Sequence, residues 1–329
     1  MSVLRRDPTT ARWVVMTDGS RPVARPPGPC PFCEGNERLT PPEIVAWGRK
    51  SPQRDQPGWA VRVIPNASPL LRVDTEVGRH ADGMYDAARG MGAHEIVVET
   101  PQHVSSLSSL PAEAIGTVLA AWAQRIEDLK RDKRLRSIFV FKNQGTRAGA
   151  LLPDHAHSQV IGLPVVPKVL RDIMEGARSY YQVHERCVFC DVLREELDRR
   201  QRLIGVTERF AAFAPFASRH PFEVWVAPRE HAPDFEVTGD AERRDLAELL
   251  GKLLRRLETA LPEPAYNLFL YSGPNRQAFP TRWRSLPSDF HWHIQILPRV
   301  EQEAGFELGS GFYANPVSPE SAAAALKLA

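Results

Sequence analysis

The sequence predicts an α+β protein built as a tandem duplication, and three observations predict it. Four cysteines fall as two C-x-x-C pairs, Cys30/Cys33 and Cys187/Cys190. Each pair is followed by an H-x-H-x-Q run, His155-Ala-His157-Ser-Gln159 and His291-Trp-His293-Ile-Gln295. Between pair and run the same landmarks recur in the same order. P-N-A-S (65–68) answers P-F-A-S (215–218), and E-I-V-V-E-T-P-Q-H (95–103) answers E-V-W-V-A-P-R-E-H (223–231), with eight residues from Glu to His in both. One shared C-x-x-C would be chance; five ordered landmarks mark a repeat.

Each half then reads as a cysteine loop, a strand ending at a histidine, a helix, a strand closed by glycine, and the histidine-bearing strand. Pro111 opens the first helix, where its missing N–H costs nothing. Ile115, Val118, Leu119, Trp122, Ile126 and Leu129 follow at a 3.6-residue period, and Leu246, Leu249, Leu250, Leu253 and Leu257 do the same in the second half. I-F-V-F (138–141) and L-F-L-Y (268–271) are the strands after them. The units span 1–168 and 169–329, joined through a charged helical stretch at 168–186. The first unit also carries an insert: 26 residues separate Ser68 from Glu95, against four between Ser218 and Glu223. It reads as a long mobile loop.

Composition narrows the function. Of 329 residues 43% are hydrophobic and 25% charged, an ordinary globular balance. A net charge of +2 gives no basic field for nucleic acid. No apolar run approaches the ~18 residues of a membrane helix, and M-S-V-L-R-R-D-P-T-T has no apolar signal core, so a cytoplasmic chain is expected. In that compartment paired C-x-x-C points to metal before disulfides. Completing a tetrahedral shell requires histidines, and the matched registers supply them. Cys30, Cys33, His103 and His155 form one zinc site; Cys187, Cys190, His231 and His291 form the other, which holds zinc or iron or is empty. Two thiolates and two imidazoles leave no open position, so such metal is structural.

With His155 and His291 as ligands, His157 and His293 are spare. A neutral imidazole is a competent nucleophile for phosphorus. Gln159 cannot transfer protons, but its NH₂ can donate to phosphoryl oxygens. The loop K-N-Q-G-T-R-A-G (142–149) precedes His157, and Asn143, Gly145 and Gly149 offer donors to a phosphate. The second half has only Y-S-G-P there, so His157 is the catalytic choice. His80, His94, His184 and His220 read as surface or satisfied histidines, and Trp225 and Trp292 as packing residues. A zinc-ribbon binding module would explain the cysteines alone. A nucleotide hydrolase would want a histidine where Gln159 stands.

C-P-F-C-E-G-N-E, E-T-P-Q-H, F-K-N-Q-G, H-A-H-S-Q, P-F-E-V-W-V-A-P-R-E-H and G-F-E (305–307) together resemble the galactose-1-phosphate uridylyltransferase family of the histidine-triad superfamily. The resemblance implies a duplicated histidine-triad-like unit with two antiparallel sheets, flanking helices and a zinc site in each unit. It implies uridylyl transfer between UDP-glucose and a hexose 1-phosphate by double displacement, with His157 becoming nucleotidylated and His155 holding zinc. Gln159 would touch the intermediate's phosphate, Asn66 and Asn143 the ribose and phosphates, and Glu307 the sugar hydroxyls. It also implies a homodimer, with Glu307 serving the partner's site. The family's H-P-H-G-Q is altered here at Ala156 and Ser158. Those slots resemble the ADP-glucose phosphorylase sister group, making adenylyl transfer to inorganic phosphate the alternative, and Ser158 is counted among the substrate-binding residues.

Overall fold

The computed structural model describes residues 2–17, 19, 28–49, 51–150, 152, 154–262, 264–278 and 283–329. The first half supplies strands β1 (Val3–Arg6), β2 (Trp13–Met16), β3 (Val45–Trp47), β4 (Val61–Pro65), β5 (His80–Asp82), β6 (Tyr85–Arg89) and β7 (Ala93–Val98). Helix α1 (Ala112–Lys130), β8 (Ser137–Gln144) and β9 (His157–Leu163) complete it. Helices α2 (Lys168–His184) and α3 (Val188–Arg199) lead into β10 (Leu203–Val206), β11 (Phe210–Phe213) and β12 (Val224–Pro228). Then come α4 (Asp240–Ala260), β13 (Tyr266–Tyr271), α5 (Leu286–Asp289), β14 (His293–Pro298), α6 (Gly305–Ser310) and α7 (Pro319–Leu328).

Among the described residues there are two antiparallel sheets, but they do not divide one per half. Ten strands form a single sheet in the order β10-β11-β12-β14-β13-β8-β9-β7-β4-β3, so both halves share it. The seam is β8 against β13, with Val140 opposite Leu270 and Phe141 opposite Phe269. Phe141 and Phe269, which pair with the matched glutamines Gln159 and Gln295, are equivalent positions of the repeat, so a local twofold axis passes between them. The second sheet, β2-β1-β6-β5, includes the insert. The expected mobile loop is therefore a β-hairpin, His80↔Ala87 to Asp82↔Tyr85, and its β6 pairs with β1 from the N-terminus.

One face of the large sheet is packed by α1 and α4. The helical periodicity delivers Ile115, Val118, Leu119, Trp122, Ile126, Leu246, Leu250 and Leu253 onto Val63, Val97, Val140, Val160, Leu268, Leu270, Ile294 and Ile296, all buried. Each such side chain contributes about 1.5–3 kcal/mol on leaving water. On the other face, Leu4, Leu71 and Ala88 of the small-sheet region cover Ile161, while α2 and α5 bring Leu170, Met174 and Leu286 against Tyr271.

Strand pairing corrects one alignment. Sequence spacing matches Glu95 to Glu223. In the sheet Glu95 stands opposite Val160, whereas Val224 stands opposite the equivalent Ile296. The first half carries one extra residue, Glu99, before the turn to the metal-site histidine. A slip of one turns every side chain to the other face. Glu95 thus points at α1 and takes two bonds from Arg125, both 2.7 Å, and the counterpart of Glu223 is His94.

Glu99 is itself used. Its carboxylate accepts from Lys142 Nζ at 2.8 Å, with both side chains essentially inaccessible, and the same ammonium donates to the carbonyl of His157 at 3.0 Å. Removing one member of a buried pair strands the other's charge. Lys142→Met is expected to cost about 3–5 kcal/mol of stability, with much of it recovered in a Lys142→Met/Glu99→Leu double variant. Equilibrium denaturation of the three variants checks this; an additive double variant would contradict it.

Candidate active site

Two metal-capable clusters form where the repeat places them. In Cys30, Cys33, His103, His155 and in Cys187, Cys190, His231, His291, the ligand atoms all lie within 4.8 Å of one another. Cys33 Sγ is 3.2 Å from His103 Nδ1 and 3.7 Å from His155 Nδ1; Cys190 Sγ is 3.4 Å from His231 Nδ1 and 3.6 Å from His291 Nδ1. The far ring nitrogens are tied down in turn. His155 Nε2–H donates to Thr100 O, His291 Nε2–H to Pro228 O and His231 Nε2–H to Pro287 O, each at 2.9 Å. Those bonds fix the tautomer that leaves Nδ1 for a metal. The clusters fit a tetrahedral ion: two soft thiolates, two imidazoles, no open position. Their backbones differ. The first cysteine pair lies in turns, while Cys187 caps α3 and Cys190 lies in its first turn.

His157 is the first residue of β9, immediately after the cluster. Its Nδ1–H donates to His155 O at 2.8 Å. The lone pair is then on Nε2, which no described residue hydrogen-bonds. Burial, aided by the Lys142 charge, pushes the His157 pKa down to about 4, so the ring is neutral at pH 7. Phe32, inside C-P-F-C, packs on His155 and His157 with centroids at 5.8 and 5.4 Å. The repeated Phe of C-x-F-C was a signal for this contact that the metal reading left unused.

Gln159 points to the same face as His157. Its Oε1 lies 2.8 Å from Nε2 of His94. His94 is buried and joins Gln159 to Asn66, whose Nδ2 lies 3.0 Å from the same nitrogen. Sequence reasoning missed His94 because the slipped alignment gave it no counterpart. Asn143 lies two residues beyond Phe141, which pairs with Gln159, so it flanks His157. Its Oδ1 accepts from Asn267 Nδ2 at 2.9 Å, and its Nδ2 makes a long 3.4 Å contact to Gly149 O. Gly145 and Gly149 have φ of +78° and +84°, and a Cβ on Gly145 would meet the Ala265 Cβ at 3.1 Å. The loop's tight return beside Asn143 therefore needs both glycines.

Ser158 and Glu307 do not join this group. Ser158 faces α1 and accepts from Trp122 Nε1 at 2.8 Å. Glu307 is exposed and accepts from the Ala304 N–H at the start of its own short helix, at 2.9 Å.

The second half carries the same histidines in a sealed setting. His293 is fully buried, with Trp225, Phe189 and Tyr271 rings at 5.0, 5.1 and 5.3 Å. Its Nδ1–H donates to His291 O at 3.1 Å, and its Nε2 accepts from Gln295 Nε2, also at 3.1 Å. The lone pair that His157 leaves open is thus occupied in His293, and Trp225 closes its face. Both rings are buried, but among the described residues only His157, 7% exposed against 0% for His293, keeps its Nε2 unengaged among amide donors.

Residues 37–167 match the family model for the N-terminal domain of galactose-1-phosphate uridyl transferase. The chain is 34% identical to the ADP-glucose phosphorylase of Arabidopsis thaliana over 98% of its length and 92% of that protein's. It is 27% identical to the galactose-1-phosphate uridylyltransferase of Thermotoga maritima over 99% and 98% of the two chains. It superimposes on the crystal structure of the A. thaliana ADP-glucose phosphorylase with bound ADP-glucose at a TM-score of 0.80 and 32% identity, covering 99% and 98% of the two. Among the described residues no helix is long and apolar enough to cross a membrane. With an open imidazole beside one of two Cys/His clusters and relatives matched end to end, the chain belongs to the galactose-1-phosphate uridylyltransferase family of the histidine-triad superfamily, a nucleotidyltransferase related both to its uridylyltransferases and to its ADP-glucose phosphorylases.

Proposed function

We propose that the chain transfers an adenylyl group from ADP-glucose to inorganic phosphate. The observation that carries this is the 34% identity to an ADP-glucose phosphorylase across 98% of the chain. Ala156 and Ser158, in place of Pro and Gly, agree with it. His157 Nε2 attacks the α-phosphorus; the P–N bond forms, the P–O bond to glucose 1-phosphate breaks, and that product leaves as an anion needing no proton. An oxygen of phosphate then attacks the same phosphorus, the P–N bond breaks, and ADP departs with His157 restored. Gln159, Asn143 and Asn66 donate to the phosphoryl and ribose oxygens in this reading.

Zinc in both clusters would be structural. It would tie each cysteine segment to the sheet and hold the His155 carbonyl that orients His157. Exposed Phe306, Leu308 and Phe312 beside Glu307 support a homodimer in which that segment reaches the partner's site.

A second reading, uridylyl transfer to a hexose 1-phosphate, is favoured by the full-length match to the T. maritima enzyme. Intact mass spectrometry after mixing the protein with ADP-glucose or UDP-glucose, without acceptor, separates the two. An AMP adduct discharged by inorganic phosphate is expected. A UMP adduct discharged by galactose 1-phosphate would transfer the assignment to the second reading, and no adduct with either would remove both.

A further inference from the structure

We propose that His94 is a positioning residue that fixes which end of the Gln159 amide faces the transferred phosphoryl group. This rests on the nucleotidyl-transfer reading above and adds a residue to it. The backbone N–H of Leu70 donates to His94 Nδ1 at 3.1 Å. Nδ1 is therefore an acceptor, and the single proton of the neutral ring is on Nε2. Protonating Nδ1 would set two donors against each other, so this amide holds the ring in one tautomer. Burial opposes the charged form as well.

Nε2–H can then donate only to an oxygen, and Gln159 Oε1 is 2.8 Å away. With its oxygen so engaged, the Gln159 NH₂ is the end left for the site. The second half shows where that end reaches. Gln295 Oε1 accepts from Arg219 at 2.8 Å, and its Nε2 lies 3.1 Å from Nε2 of His293. Gln159, anchored by the same atom, can bring its NH₂ to an oxygen of a phosphoryl group carried on His157 Nε2.

Asn66 is held in the same sense. Its Oδ1 accepts from the Ser68 N–H at 2.9 Å. Its Nδ2, 3.0 Å from His94 Nε2, cannot bond to that N–H donor and stays available. Asn66 N–H also donates to the His94 carbonyl at 2.9 Å. Together with Asn143, whose oxygen is engaged by Asn267, three amides present NH₂ rather than C=O to the site. Of the three, Gln159 owes its orientation to an imidazole whose tautomer is set in turn by a backbone N–H, that of Leu70. A reversed Gln159 would set a carbonyl oxygen against phosphoryl oxygens.

The test uses His94→Leu and His94→Gln in the full-length protein, with ADP-glucose and UDP-glucose as probes. Gln can place an N–H donor where His Nε2–H stands; Leu fills the space without one. With either probe that labels the unaltered protein, His94→Leu should form adduct about a hundredfold more slowly, the scale for losing one oriented donor. KM should shift less than about threefold, and His94→Gln should recover to within about tenfold. Adduct formation by His94→Leu at the unaltered rate would overturn the proposal, as would no recovery in a folded, metal-replete His94→Gln. An unaltered protein that forms no adduct would instead remove the reaction. Independently of activity, the imidazole ¹⁵N shifts of His94 should report an Nε2–H tautomer, and an Nδ1–H tautomer would overturn the proposal even if both variants failed to fold.

Discussion

Replacing His157 with Asn should reduce turnover by at least about 10⁴-fold while leaving fold and metal content intact. The substitution is chosen for its geometry. Asn can keep the donor that His157 Nδ1 presents to the His155 carbonyl, a 2.8 Å bond in the native site. It deletes the Nε2 lone pair and nothing else of comparable weight. A covalent nucleophile cannot be bypassed by the remaining amides, since binding and oxyanion stabilisation alone leave only a residual rate. Steady-state turnover, adduct mass and metal content are the measurements. Retained turnover would sink the double-displacement assignment. The buried copy gives the internal control: His293 cannot substitute, because its Nε2 is taken by Gln295 and its face by Trp225.

Removing either metal should have the largest effect on stability. Native protein is expected to carry two equivalents of zinc, and Cys30→Ser or Cys190→Ser one. Metal affinity gained only on folding is folding free energy, so losing a site costs several kcal/mol and lowers Tm by roughly 10 °C or more. The first cluster ties segments distant in sequence, with Cys33 meeting His103 and His155. The second ties the start of α3 to the strand ends after β12 and before β14. Elemental analysis with calorimetry decides the matter. Unchanged metal content, or an unchanged Tm on loss of one equivalent, would contradict it.

Much of the site was legible because its signals repeat. A lone histidine gives no warrant for ligation, but His103 and His231 at equal distance from matched landmarks do, and both clusters assemble from those residues. The two long helices were legible because leucine spacing decides which face is buried. What failed was non-local or off by one. The hairpin of β5 and β6 is short, polar and largely exposed. Its partner β1 lies some eighty residues earlier, as the Arg6–Asp86 ion pair shows. The Asp82-Gly83 turn, with Gly83 at φ +60°, was the only local cue. His94 was lost for a different reason. Counting residues to the metal-site histidine included Glu99, so the alignment compared the wrong faces of β7 and β12. Ser158 could not be placed from resemblance, because strand alternation turns it toward α1 and Trp122.

The seam between β8 and β13 has a consequence for the protein cut in two. Each half ends its sheet on a strand whose outer backbone groups pair only with the other half, and the Phe139 ring packs across the join on Phe269 and Tyr271. A liberated half would expose a bare hydrophobic edge. Because the equivalent Phe141 and Phe269 face each other at the local axis, a freed first half has its own β8 as a ready mate and would associate with itself. Such a self-paired half would have two open imidazoles where the native chain has one.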